Sequence, residues 1–109
     1  MSEIFIPLPF EVRKAARELG INVRVARKRR RMLQGDLAQK AGVGEKTLRR
    51  LEKGDDGVSV GNVLSVLWAL GLLPTAQALA NPDNDEHGKT LELARLPERV
   101  RESAPDNDF

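Results

Sequence analysis

The chain has 109 residues, enough for one ordinary domain, and is 40% hydrophobic and 31% charged, so it can bury a modest core. It has no Cys and a single His, which excludes a disulfide framework and a thiolate metal site and leaves the His without a partner set for zinc. Its net charge of +2 hides a split: residues 1–54 hold 14 Lys and Arg against 6 Asp and Glu, and residues 55–109 hold 4 against 10. A basic first half of +8 beside an acidic second half of −6 suggests one face for a polyanion and another that turns away from it.

Met1 to Phe10 lacks the basic start and long apolar stretch of a signal peptide, and no apolar run reaches the roughly 18 residues that span a bilayer. A cytoplasmic location of bacterial type is therefore expected, with no membrane partner. Ile4 to Ile6 is a short extended candidate bounded by Pro7 and Pro9. Val12, Ala15, Ala16 and Leu19 then fall at helical spacing, with Gly20 where a helix-ending residue belongs. Asn22 is a candidate N-cap for a second helix running to about Met32, whose polar side carries Arg24, Arg27, Lys28, Arg29, Arg30 and Arg31.

A short helix is expected from Gln34 to Lys40, a turn at Gly42 to Gly44, and a further helix from Glu45 to about Lys53. Two short helices joined by a glycine-containing turn form the core of a helix-turn-helix, whose second helix enters the DNA major groove by its N-terminal end. Its inward residues must be apolar, as Leu48 and Leu51 are. Its outward residues must form hydrogen bonds, as Glu45, Lys46, Thr47, Arg49 and Arg50 can.

Beyond a loop at Gly54 to Gly57, Ser59 caps a helix to Leu70. Val60 to Leu73 is apolar on nearly every side, with only Gly61, Asn62, Ser65 and Gly71 interrupting it. Such a helix must bury one side in its own domain and the other in a partner, and its own copy is the simplest partner. Leu64, Leu67, Trp68 and Leu72 are the expected dimer contacts, although Trp68 alone also fits the core at that spacing. Pro74 opens a last short helix to about Ala80. An acidic tail follows, with Leu91, Leu93 and Leu96 as its apolar anchors and Ser103 to Phe109 as a disordered end.

Gln34 to Val43 (QGDLAQKAGV) and Thr47 to Gly54 (TLRRLEKG) resemble the Xre/Cro repressor helix-turn-helix, over roughly Val23 to Leu73. The resemblance implies an all-α, five- to six-helix, lambda-repressor-like domain, here with a short N-terminal extended segment and a partly disordered C-terminal tail. It implies that Gln34 touches a phosphate, that Glu45, Lys46, Thr47 and Arg50 face the bases, and that Arg49 reaches the DNA backbone. Arg27 and Glu52 match a pair that joins two helices as a structural ion pair. Three positions depart from the family pattern: Arg31 stands where Gly is usual, Leu33 where Ser or Thr is usual, and Gly44 where Ser is usual.

Leu51 to Ser59, Leu67 to Leu73, Asn81 to Gly88 and Arg95 to Arg101 further resemble HipB-like antitoxins, encoded beside HipA-type kinases. That resemblance implies a dimeric repressor of its own operon, on an inverted-repeat operator, with a HipA-like kinase as second partner. A lone or phage-type regulator without a toxin, and an interaction module that never touches DNA, are the competing readings. The cations of the recognition helix argue against the latter. The expected organisation is an extension at 1–20, the helix-turn-helix domain at 21–80 and the acidic tail at 81–109.

No carboxylate pair, nucleophile–base pair or metal set stands at catalytic spacing, so no enzyme and no cofactor are expected. Gly42 to Thr47 has the wrong spacing for a phosphate-binding loop. Asp83, Asp85, His87 and Gly88 imitate the start of a calcium loop, but Ala94 occupies the twelfth position, where a carboxylate is needed.

Overall fold

The computed structural model describes residues 7–95. The extended segment expected at Ile4 to Ile6, the anchor Leu96 and the disordered end at Ser103 to Phe109 lie outside the described residues. Within them the chain forms α1 (Phe10–Arg29), α2 (Gln34–Ala41), α3 (Glu45–Glu52), α4 (Val60–Leu70), α5 (Leu73–Gln77), a short 3-10 turn (Pro82–Asn84) and α6 (Glu86–Arg95). The described residues are thus all-helical, with no strand and six α-helices, as the sequence leads one to expect.

One expectation fails. Gly20 does not end a helix, and Asn22 does not cap another; both lie inside the twenty-residue α1, through which the expected division between residues 20 and 21 passes. The reason is tertiary. Gly20 is buried where α1 presses on the end of α3, and a Cβ there would come within 2.8 Å of the Glu52 carbonyl oxygen and 2.9 Å of the Gly54 nitrogen. A glycine inside a helix costs about 1 kcal/mol relative to alanine. The close approach of two backbones offsets that cost.

The core joins Val23 and Ala26 of α1, Leu37 and Ala38 of α2, Leu48 and Leu51 of α3, and Val66, Leu67, Ala69 and Leu70 of α4. In α1, α3 and α4 the core residues recur at three or four residues, so each of these helices turns one stripe inward. α1 packs on α3, and α2 packs on both α3 and α4. The described residues divide into two compact units, one ending at Ala76 and the other beginning at Gln77.

Trp68 is not a core residue: it is 58% exposed, whereas Leu67 is buried. Leu67, expected among the dimer contacts, is instead taken up by the chain's own core, because it lies on the inward stripe of α4; Leu64 and Leu72 are half-buried, and Leu72 packs against the core. The free side of α4 instead runs along Val60, Leu64 and Trp68, at i, i+4 and i+8, with Val60 72% exposed.

In the second unit, Asp85, one of the residues that imitate a calcium loop, is a helix cap, and Asn81 caps the 3-10 turn before it. Asn81 Oδ1 accepts from the Asp83 N–H at 2.8 Å, and Asp85 Oδ1 accepts from the Gly88 N–H at 2.9 Å. The Asp85 cap starts α6, which carries the two exposed leucines Leu91 and Leu93.

Candidate nucleic-acid interface

The geometry of the interface is set by the turn between α2 and α3. Gly42 ends α2 at φ 72°, a left-handed conformation that costs glycine nothing and lets its amide return to the Ala38 and Gln39 carbonyls. α3 begins three residues later, at Glu45. Its buried residues, Leu48, Leu51 and Glu52, define the inner arc. At 100° per residue, Lys46 and Arg50 occupy the opposite arc, with Glu45, Arg49 and Lys53 beside them.

The inner side of α3 is locked by ions. Arg27 Nε donates to Glu52 Oε2 at 2.7 Å and its Nη2 to Glu52 Oε1 at 2.9 Å. Both residues are buried, at 7% and 8% exposure. Arg27 Nη1 also donates to the Met32 carbonyl at 2.9 Å, which ties down the loop between α1 and α2. Burial alone would raise the Glu52 carboxyl above its ordinary value, but hydrogen bonds from Arg27 and Gln34 and the charges of Arg27 and Arg24 outweigh it and hold it lower. Its hydrogen bond to Glu52 leads the influences that raise Arg27. The ion pair expected between these two residues is present.

Gln34 holds a place that its sequence position does not reveal. Its Nε2 donates to Glu52 Oε1 at 3.0 Å, so it is the third member of the buried network as well as the first residue of α2. Arg49 pairs with Glu45 at 3.3 Å along the helix surface. Arg50 Nε donates to Asp55 Oδ2 at 2.8 Å, while Asp55 Oδ1 accepts from the Gly57 N–H at 2.7 Å. The Arg50 guanidinium and the Gly57 amide hold the exposed Asp55 carboxyl below its ordinary value. Asp55 is the residue near the interface that sequence reasoning passed over. Its signal is an aspartate five residues beyond a candidate reader, followed by a turn glycine. Lys46 has no ion pair among the described residues, and Thr47 is half-buried at the edge of the helix.

The three departures from the family pattern have visible consequences. Arg31 sits at φ 55°, a left-handed conformation that a side chain disfavours. Neither Leu33 nor Gly44 offers a side-chain cap to its helix. At α2 the reverse contact survives, since the Asp36 carboxylate accepts from the Leu33 N–H at 3.2 Å. Both helices nevertheless start where the sequence places them. Among the described residues no group of three or more His, Asp or Glu is placed to hold a metal ion, and no helix is long and apolar enough to cross a membrane.

A helix-turn-helix domain model matches residues 18–80. An uncharacterized HTH-type transcriptional regulator, y4mF, from Sinorhizobium fredii is 40% identical over 58 residues, which are 53% of this chain and 76% of that protein. No solved structure matches the chain. The buried ion pair, the glycine turn and the cationic outer arc of α3 agree with the family match: the chain belongs to the helix-turn-helix domain family and is a DNA-binding transcription regulator.

Proposed function

We propose that the protein is a sequence-specific repressor that binds an inverted-repeat operator as a homodimer and regulates the operon of a HipA-like kinase, for which it is the antitoxin. The observation that carries specific binding is the outer arc of α3. Lys46 and Arg50 stand on it, and both side chains can donate to guanine O6 and N7 in the major groove. Gln34, at the start of α2, would meet a phosphate with the second hydrogen of its Nε2, the first being donated to Glu52.

The homodimer is supported by the free side of α4, where Val60, Leu64 and Trp68 form an apolar line opposite the buried residues. A two-fold pairing there would set two recognition helices about 34 Å apart, one turn of DNA, or a multiple of it. The kinase partner is supported by the resemblance of the segments named above to HipB-like antitoxins and by the acidic second half, which phosphates repel. Cytoplasmic, nucleoid-associated placement follows from this function.

Selection of duplexes from a random pool tests the reading. The selected site should be an inverted repeat, and light scattering at micromolar concentration should give twice the chain mass. Arg50→Ala should lower discrimination between selected and scrambled duplexes by roughly tenfold, and Gln34→Ala should weaken both alike. A monomer mass, or an Arg50→Ala variant that loses the same affinity on every duplex, refutes the corresponding part. Capture of a purified HipA-like kinase by the full chain, but not by a chain ending at Ala80, would support the antitoxin role. Full-chain binding to the operator without kinase capture would favour a lone regulator.

A further inference from the structure

We infer that the edge of α1 facing α3 is a second DNA-backbone contact, reaching beyond the helix-turn-helix through Arg13 and Arg17; it rests on the duplex-binding reading above. Arg13, Arg17, Arg24 and Lys28 are separated by four, seven and four residues, which places them on one edge of the continuous α1. Fifteen residues of helix rise about 22 Å, which along the duplex axis is the rise of roughly six phosphates of one strand.

Two concavities open along this edge. One, of about 330 Å³, is lined by Arg13 and Arg17 of α1 with Arg50 and Lys53. The next, of about 500 Å³, is lined by Arg24 and Lys28 with Gln34, Arg49 and Lys53. Lys53 belongs to both, so it links the two concavities, and Glu52, which also lines the second, is paired with Arg27.

The outer pair is held in place. Gly54 adopts φ 87°, and a Cβ there would come within 2.8 Å of Arg17 Cα and Cγ, so the arginine stem lies directly on the glycine. The Arg17 guanidinium stands 6.0 Å from the centre of the Phe10 ring. Arg13 Nε donates to the Leu8 carbonyl at 3.3 Å. Both heads are exposed, and neither has an ion pair among the described residues.

Two carboxylates, Asp55 and Asp56, share the first concavity, but Asp55 is already neutralised by Arg50. A line of fixed, unpaired cations flanking a recognition helix suits a polyanionic strand. It carries no base-reading geometry, since phosphates lie outside the groove that the outer arc of α3 would enter. Arg13 and Arg17 precede residue 18, where the family match begins, so this contact lies outside the matched stretch.

The test is a salt titration of the full chain on its selected duplex, comparing wild type with Arg13→Gln/Arg17→Gln, which keeps at position 17 the stem that packs on Gly54. Each lost phosphate contact should reduce the slope of log affinity against log salt by about 0.9, so the double variant should be shallower by about 2. Raising salt from about 50 to 200 mM should then cost wild type roughly tenfold more affinity than the variant, with the preference for selected over scrambled duplex unchanged. Arg13→Gln alone, which leaves the Gly54 contact intact, should lower the slope by about 0.9. Slopes parallel to wild type in both variants overturn the inference while leaving the α3 reading intact. A variant that loses base preference instead overturns the assignment to the backbone. A wild-type chain that binds no duplex overturns both.

Discussion

The two sides of the helix-turn-helix are built to different standards. On the inner side every polar group is matched: Arg27, Glu52 and Gln34 satisfy one another, and no buried side-chain nitrogen or oxygen lacks a partner among the described residues. On the outer side local rules are broken. Arg31 occupies a left-handed position, Leu33 and Gly44 leave their helices without side-chain caps, and the arginines of α3 are held only by exposed pairs. The contrast teaches where stability and binding are divided.

The largest effect should come from breaking the inner side. Glu52→Ala leaves the Arg27 charge buried without its carboxylate and Gln34 without its acceptor. It should cost on the order of 3 kcal/mol, read as a large fall in the denaturant midpoint. Replacing Arg27 and Glu52 together with apolar residues of similar volume should cost less than Glu52→Ala alone. A melting curve unchanged by Glu52→Ala would erase the contrast between the two sides.

Acid should probe the same network more gently. The Glu52 carboxyl lies below its ordinary value of 4.5 in the folded chain, so the stability its ionised form supplies is complete above that value and is lost as pH falls through the lower, folded value. Unfolding followed between neutral pH and about pH 3 should show this loss, and Glu52→Gln should flatten it. An identical pH profile in the variant would remove Glu52 as its source.

Mending the outer side should give smaller changes of opposite sign. Arg31→Gly relieves the left-handed strain and should stabilise by about 1 kcal/mol, while removing one cation of the basic first half. If binding to duplex DNA is unaffected, Arg31 is not part of the interface. Leu33→Ser supplies the missing cap of α2 for about 1 kcal/mol, at little cost because Leu33 is 72% exposed. Gly44→Ser should add only a few tenths of a kcal/mol, since glycine is already a tolerable cap. Thermal melts of the two variants, ranked in that order, check the size of the cap effect.

Much of the molecule was legible in its residues. Apolar spacing located α2, α3 and α4 within a residue at either end, because each helix is short, amphipathic or bounded by a glycine or a cap. The Arg27–Glu52 pair was legible through the family pattern alone, since nothing local links residues 25 positions apart. The outward cations of α3 followed from the same periodicity that buries Leu48 and Leu51.

What the chain's local chemistry determined by itself was therefore the all-helical class, the turn at Gly42 and the polarity of the recognition helix. These depend on side chains three or four residues apart, whose relations are carried by the helix repeat. The tertiary structure alone decided the rest. Gly20 reads as a helix end in isolation but serves as the contact point between α1 and α3, because only a residue without a Cβ fits against the Glu52 carbonyl and the Gly54 nitrogen. Trp68 and Leu67 are neighbours on an apolar helix, and only the packing of α4 leaves one exposed and the other buried. Gln34 joins Glu52, and Arg17 lies on Gly54, because the fold brings together groups that no sequence period relates.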